Sequence, residues 1–543
     1  MAVGLADLPP EMILRILFFL PELDILILQR TSSSFCQLIS GTATLQYRIA
    51  KELAGYEDNP CASERHVSVL ERLHALRKLE SSLINVSPSF SMSIPVTFRP
   101  CGLYELSAGR YMLGTTSRTR IKALTLPSTP TDEPRWHDVD VGFHIIDFGL
   151  SICENDLLAA VVLCVSFNAN AVDPAPQIGI SLIQYSTGLP HPEAKDAYIP
   201  VSSLRGGWFP PYLSIEIIGD SLVLILHYTP ANGPSPSDEF YVYNWRKGTR
   251  RLGIEALHGT YSSFCFLTEN MVFLPNKDNE TFEYWSLEPE TPVCIGALQL
   301  PTLRPEVRIF LLSCRGEPNP MRAGAWSHSP DLFAPRPETA ILILNFHFVS
   351  MRGDHGSHAL SLVVHRNSLM DLVPRLSPDT TLAWTEWGPP ICRWFAMDNI
   401  NTRWITTTAG QRLICVPESN DEDSDAAVCI CDFNPYNVRR FRHGSLFPGV
   451  HDMSRDIFTL VDEPETLEAQ DRIDVFEEPV TSELPYLCSR SATLHKFDGV
   501  LLDDRRIIGL KVCTHLLSVR LLTRRQSNGL DSHVHYLEVM CFA

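Results

Sequence analysis

The chain has 543 residues, 45% of them hydrophobic, and a formal net charge of −18, so it is long enough for two or three domains with a sizeable core. The acidic balance argues against a general nucleic-acid binder, which needs many Lys and Arg contacts to phosphate, and against an anionic membrane surface. Fifteen cysteines, without a C-x-x-C pair, read as core thiols of a reducing compartment, cytoplasm or nucleus, rather than a zinc or disulfide framework.

The first predicted element follows Leu8-Pro9-Pro10-Glu11. Met12, Ile13, Leu14, Ile16, Leu17, Phe18, Phe19 and Leu20 make a helix that is apolar on nearly every side, interrupted only by Arg15. A surface helix would show one apolar stripe. Apolar groups all round predict two covered faces, one on the protein's own helices and one on a partner. A signal peptide does not fit, because Asp7 and Glu11 stand where basic residues belong. The run is also far below the ~20 residues of a membrane span. Pro21-Glu22-Leu23-Asp24 reads as a turn, Leu26 and Leu28 open a second helix, and Ser32 to Ser34 lead into a third with Phe35, Leu38 and Ile39.

The spacing Leu8-Pro9-x-Glu11-x-Ile13, then Ile16/Leu17 and Leu20, then Leu23-Asp24-x-Leu26, then Ser32-x-x-Phe35-x-x-Leu38 resembles an F-box. Arg30 and Thr31 depart from that pattern, where apolar residues are usual, and Tyr47 stands near a position often held by Trp. The resemblance implies a domain at residues 1–48 that docks on the Skp adaptor of SCF-type ubiquitin ligases, and through it on a cullin. The implied contact residues are Leu8, Pro9, Ile13, Ile16, Leu17, Leu20, Leu23 and Leu26. Without the resemblance, an ordinary helical cap on a larger domain remains the alternative.

Residues 49–85 read as a helical linker. Gln46 to Ala54 is one helix, Gly55 to Pro60 a turn, and Glu64 to Ile84 a second helix with Val67, Leu70, Leu73, Leu76 and Leu79 in register and Ser63 as its cap. Similar connectors occur in F-box proteins of mushroom-forming fungi, which the chain most resembles along its length.

From 86 to 543 the texture is β-rich. A degenerate repeat runs strand, tight polar turn, strand, loop, third strand. Its turns are Ala108-Gly109, Asn155-Asp156, Gly219-Asp220, Glu269-Asn270, Gly353-Asp354, Ala409-Gly410 and Asp503-Asp504, and third strands include Phe240 to Trp245, Phe282 to Trp285 and Val428 to Phe433. Stacked units with no long exposed edge predict a β-propeller, seven-bladed by the turn count, with Ser91 to Phe98 closing the last blade. A double β-sandwich is the alternative. The expected fold class is thus α+β multidomain, a small helical F-box and linker before a large all-β domain.

Candidate chemistry is sparse. Asp421-Glu422-Asp423-Ser424-Asp425 starts like a calcium loop but has Ala426 where Gly is needed. Asp354-His355-x-x-His358 and His533-x-His535 lack a third ligand. No nucleophile elbow, P-loop or dinucleotide fingerprint occurs. No metal, cofactor or active site is therefore expected, although a propeller-fold hydrolase with a helical cap is a competing reading, as is an F-box protein that binds Skp outside a cullin ligase. Target-binding candidates are the Arg439-Arg440-Phe441-Arg442 cluster, suited to acidic or phosphorylated peptides unless it is a plain solvated loop, and Trp384 and Trp387, which lie in a turn-rich stretch although the aromatic group reads first as packing between blades. Arg520, Arg524 and Arg525 form a second basic group, and Trp394 and Trp404 join the aromatic one. The expected function is a non-catalytic adaptor that holds Skp at one end and an unknown target at the other.

Overall fold

Pro10 at the first helical position, where its missing N–H costs nothing, and Glu11 in the first turn start α1 (Pro10–Leu17). α2 is Glu22–Thr31, α3 Ser33–Gly41 and α4 Ala43–Ala54. The Ser32 hydroxyl accepts the Phe35 N–H at 3.2 Å and caps α3, and Gly55, at φ 72°, ends α4. Ile13, Leu17, Ile25, Ile39, Leu45 and Ile49 form the core of this helical module. The computed structural model describes residues 8–59, 67–164, 176–204, 210–228, 236–322, 331–351, 357–378, 380–396, 406–417, 425–444, 457–467, 475–514 and 532–542.

The next helix, α5, spans Val69–Ile84 and starts later than its apolar spacing suggests. Ser68 and Glu71 form a capping box, each side chain bonding the other's backbone N–H, and this reciprocal pair sets the start at Val69. The expected cap, Ser63, lies outside the described residues. Between α4 and α5 the strand Tyr56–Asp58 pairs antiparallel with Phe333–Pro335 of the β region. Asp58 also accepts the Tyr47 hydroxyl at 2.5 Å and pairs with Lys51 of α4.

Among the described residues the β region forms seven sheets of four or five strands, in chain order. The first runs Pro100–Ser107, Arg110–Thr115, Arg120–Thr125 and Trp136–Asp140, and the second His144–Ser151, Leu157–Cys164, Gln177–Gln184 and Tyr198–Ser203. The third begins at Tyr212–Ile218, the fourth at Cys265–Thr268, the fifth at Val307–Arg315, the sixth at Thr408–Ala409 and the seventh at Gly499–Leu502. Each packs on the next. Met112 and Ile121 of the first meet Ile145 and Leu158 of the second, and this continues until Leu501 and Ile508 of the seventh meet Leu113 and Leu124 of the first. Central strands are thus covered on both faces, which is why Leu222 to Leu226 read as an unbroken apolar run and are all 0% exposed. Ser532–Cys541 pairs with Arg506–Thr514 on one side and with Phe90–Pro95 on the other, so an early strand closes the last sheet.

Six of the expected turns join the first and second strands of their sheets. At Ala108-Gly109 both φ angles are positive, 50° and 69°, as a two-residue hairpin turn requires. Gly353-Asp354 lies outside the described residues and differs in place, between the second and third strands of the fifth sheet. In that sheet Val307–Arg315 pairs with Ile341–Ser350, and Phe333–Pro335, which lies between them in sequence, pairs with the connector strand.

α5 packs Leu73, Leu76, Leu79 and Leu83 against Ile414, Ile430, Val500 and Ile507 of the sixth and seventh sheets. One buried cation joins the two parts: Arg412 of the sixth sheet bonds Glu80 of α5 at 2.6 Å and lies 3.5 Å from Asp432. Arg412→Ala would leave both carboxylates buried without their cation, and a cost of about 3–5 kcal/mol is expected in urea unfolding. The Glu80→Gln/Arg412→Met pair should cost less than the sum of its single changes.

Candidate adaptor face and basic cleft

α1 and α2 present two unlike faces. Ile13 and Leu17 are buried in the module's own core, and Leu8, Ile16, Leu20 and Leu26 are half-buried against or beside it. Pro9 is exposed at the N-cap of α1, and Leu23 is exposed on α2. The large apolar side chains left outward are Met12 (50% exposed), Phe19 (83%), Leu23 (47%) and Ile27 (61%), with Phe18 beside them. Only Leu23 of these is a sequence candidate. A helix apolar on every side carries no period that separates its inner from its outer face. The α1–α2 corner is set by Arg48 of α4, which donates to the Phe18 carbonyl at 2.9 Å, the Leu20 carbonyl at 3.1 Å and the Glu22 carboxylate. Burial works against ionisation of Glu22, but the Arg48 bond holds its carboxyl below the usual range.

The arginine cluster is helical, not a loop. Pro435–Arg442 is capped by Asn434, whose Oδ1 accepts the Tyr436 and Asn437 N–H groups at 2.9 and 3.3 Å. The Asn434 Nδ2 donates to the Leu53 carbonyl at 2.7 Å, which seats this helix on the C-terminal end of α4. Arg442 pairs with Asp462 at 2.8 Å. Arg439 and Arg440 line a cleft of about 850 Å³ shared with α2, α4 and α5. The cleft also takes Arg30, a departure from the F-box pattern, and Arg77. These two were not candidates, because only the tertiary fold brings them within reach of residues some 360 to 410 positions away.

Trp384 and Trp387 require correction as surface candidates. They sit on a helix, Trp384–Ile391, at 8% and 1% exposure, with ring centroids 4.9 Å apart and with the Trp394 ring tilted against Trp384 at 6.1 Å. Trp387 donates its indole N–H to the Gln299 carbonyl at 3.0 Å. They pack the fourth sheet against the fifth and present no ring to a partner.

Inside the ring a second charged group gathers. Arg315 pairs with Glu105 and, at 3.3 Å, with Glu317, while Asn319 donates to Glu216 at 2.6 Å. Burial pushes Asp147 up to about 7 and Glu216 up to about 8, the Arg315 charge opposing and Glu317 and Glu105 adding to the rise at Glu216. The folded state therefore holds protons that the unfolded chain releases above its ordinary carboxylate pKa of about 4. Between roughly pH 4 and 8 the native state binds more protons, so these groups make stability fall as pH rises. Melting at a series of pH values should show this fall in the parent and a shallower one in Glu216→Gln. Parallel profiles would contradict it.

Among the described residues no group of three or more His, Cys, Asp or Glu is placed to hold a metal ion, and no helix is long and apolar enough to cross a membrane. His358, His533 and His535 lie on strands. His355, Asp421 to Ser424, Trp404, Arg520, Arg524 and Arg525 lie outside the described residues.

A family model for the F-box domain matches residues 5–43. Nothing among curated proteins matches the chain. Solved structures similar to it include the WD40 domain of coronin from Toxoplasma gondii, at 9% identity and TM-score 0.34, covering 74% of this chain and 86% of that one. The WD40 domain of SCAP from fission yeast has 9% identity and TM-score 0.29, covering 70% of this chain and 82% of that one. With the domain match on the helices that bear the outward apolar face, and the ring of sheets described above, the chain carries an F-box domain at residues 5–43 ahead of a large β-propeller-like region.

Proposed function

We propose that this protein is the substrate-recruiting adaptor of an SCF-type ubiquitin ligase. Its F-box, residues 1–48, would hold a Skp adaptor and through it a cullin. Residues 49–85 would link it to a β domain, 86–543, that holds the target protein. The observation that carries this reading is the outward apolar face of α1 and α2, Met12, Phe19, Leu23 and Ile27, on an F-box domain. A face of this kind is costly to leave in water and suits a partner with a complementary apolar groove. The half-buried Leu8, Ile16, Leu20 and Leu26 would extend the contact at its rim.

The chain would contribute proximity and no chemistry of its own, raising the effective concentration of target lysines near a ubiquitin-charged enzyme. The packing of α5 on two sheets supports that role, because a stiff joint holds the target at a defined reach. Purifying the tagged chain with a Skp adaptor and a cullin tests the reading. Capture of both is expected. Capture of Skp without cullin would favour an F-box protein that works outside the ligase, and capture of neither would overturn the proposal.

A further inference from the structure

Four of the chain's thiols meet on one face of the sixth sheet. Cys415 ends the strand Arg412–Cys415, Cys429 and Cys431 stand on Ala426–Asp432, and Cys488 lies on Tyr486–His495. The register sets Cys415 opposite Cys429 and Cys431 opposite Cys488. Residues directly opposite each other across an antiparallel pair point to the same side, as do positions two apart on one strand, so all four thiols share a face. That face packs on Ile341, Ile343 and Val363 of the fifth sheet. Cys429 and Cys431 are buried there, while Cys415 and Cys488 are half-buried. Spread over three strands, the four do not close round a point, and among the described residues no such group is placed to hold a metal ion.

Distance decides which thiols can join. Directly opposite Cα atoms of an antiparallel ladder lie about 4.5–5.5 Å apart, inside the roughly 4.4–6.8 Å that a disulfide spans. Diagonal neighbours such as Cys429 and Cys488 fall at about 7–8 Å, outside it. Charge decides which thiol reacts. Arg490 stands two residues beyond Cys488, exposed and on the same side of the strand. Hydrogen bonds from the Cys429 and Cys431 thiols, with the Arg490 charge behind them, pull the Cys488 thiol well below its ordinary range against the effect of burial. The bonds Cys431 makes to Cys415 and Cys488, together with burial, keep its own proton on. A half-buried thiolate beside a cation, with a protonated thiol directly opposite, is the arrangement in which a cysteine reacts with a peroxide and is then resolved. Cys265 and Cys314 show the contrast. Their sulfurs are 3.0 Å apart between the fourth and fifth sheets, but both residues are buried, and burial holds the Cys314 thiol well above the ordinary range.

We propose that Cys488 is a hydroperoxide-reactive thiol that Cys431 resolves into a cross-strand disulfide. The Cys488 thiolate attacks an oxygen of the hydroperoxide. An S–O bond forms, the O–O bond breaks, and the leaving alkoxide or hydroxide takes from water the proton that Cys488 had released. The product is a sulfenic acid. The Cys431 sulfur then attacks the Cys488 sulfur, an S–S bond forms, the S–O bond breaks, and hydroxide departs with the Cys431 proton as water. Two thiols and one hydroperoxide become one disulfide, one alcohol (or water) and one water. The bond would pin Ala426–Asp432, whose other face holds α5 through Val428 and Ile430, to Tyr486–His495. The reaction is independent of whether the chain holds a Skp adaptor.

Peptide mapping of the full, reduced chain by mass spectrometry after hydrogen peroxide treatment tests the proposal. One disulfide is expected, Cys431–Cys488, while Cys265 and Cys314 stay reduced. In Cys431→Ser, Cys488 should accumulate instead as a sulfenic acid that dimedone traps. The oxidation rate at pH 6.5 should be within threefold of that at pH 8.5, where an ordinary thiol with a pKa of about 8.5 would lose roughly fiftyfold over the same interval. Arg490→Gln removes an exposed charge and should slow the reaction at least threefold at pH 6.5. A map without the Cys431–Cys488 bond, or with Cys415–Cys429 or Cys265–Cys314 in its place, would overturn the proposal, as would a parent rate that follows the pH dependence of an ordinary thiol. The map and the parent's pH profile need no variant, so they decide the matter even if Cys431→Ser folds poorly.

Discussion

Phe19→Ala combined with Leu23→Ala is expected to abolish capture of a Skp adaptor while the β region melts as before. Both side chains are outward, at 83% and 47% exposure, so their removal takes little from the folded chain. If both become buried in a partner, each is worth roughly 1.5–3 kcal/mol, and the pair about 3–6 kcal/mol, or roughly a 10²–10⁴-fold loss of affinity. Surface plasmon resonance against a purified Skp adaptor reads this directly. The choice of positions matters. Ile13 and Leu17 belong to the module's own core, where truncation to Ala costs about 2–5 kcal/mol of stability and would mimic a lost contact by unfolding the helices. Changing Leu8 and Pro9 mixes the two effects, since Leu8 packs on that core and Pro9 starts α1. Undiminished binding by the Phe19/Leu23 variant would place the adaptor contact elsewhere.

Deleting Tyr536 to Ala543 is expected to unfold the whole ring. This stretch supplies most of the strand Ser532–Cys541, which is hydrogen-bonded on both sides, and Ile94 of the closing strand lies opposite Leu537. Leu537, Val539, Met540, Cys541 and Phe542 are all at 2% exposure or less. At roughly 1.5–3 kcal/mol each they represent about 8–15 kcal/mol, as large as the total stability of an ordinary domain. The loss also opens the contact between the seventh and first sheets, where Val539 and Leu537 share a cluster with Leu113 and Leu124. A ring held by nearest-neighbour contacts has no spare closure. Calorimetry should show the cooperative transition lost or moved down by many degrees. A truncated chain that melts like its parent would mean that the closing strand is dispensable.

What the sequence by itself determined is local. The F-box spacing, the alternation of strands with tight turns and the third strands rich in aromatics all depend on residues a few positions apart, where periodicity and turn chemistry act. The C-x-C spacing likewise puts Cys429 and Cys431 on one face of their strand. That Cys415 faces Cys429 and Cys488 faces Cys431 across adjacent strands is a matter of register, which no local pattern states. Only the tertiary structure decided which side of α1 meets water, because an all-apolar helix fits either way round. It also decided that Trp384 and Trp387 are core, that the Arg439 cluster is a helix beside the F-box, and that Arg412 meets Glu80 across 332 positions of chain. Each of these depends on contacts between distant segments, whose pairing follows from how the sheets close and where α5 lands on them.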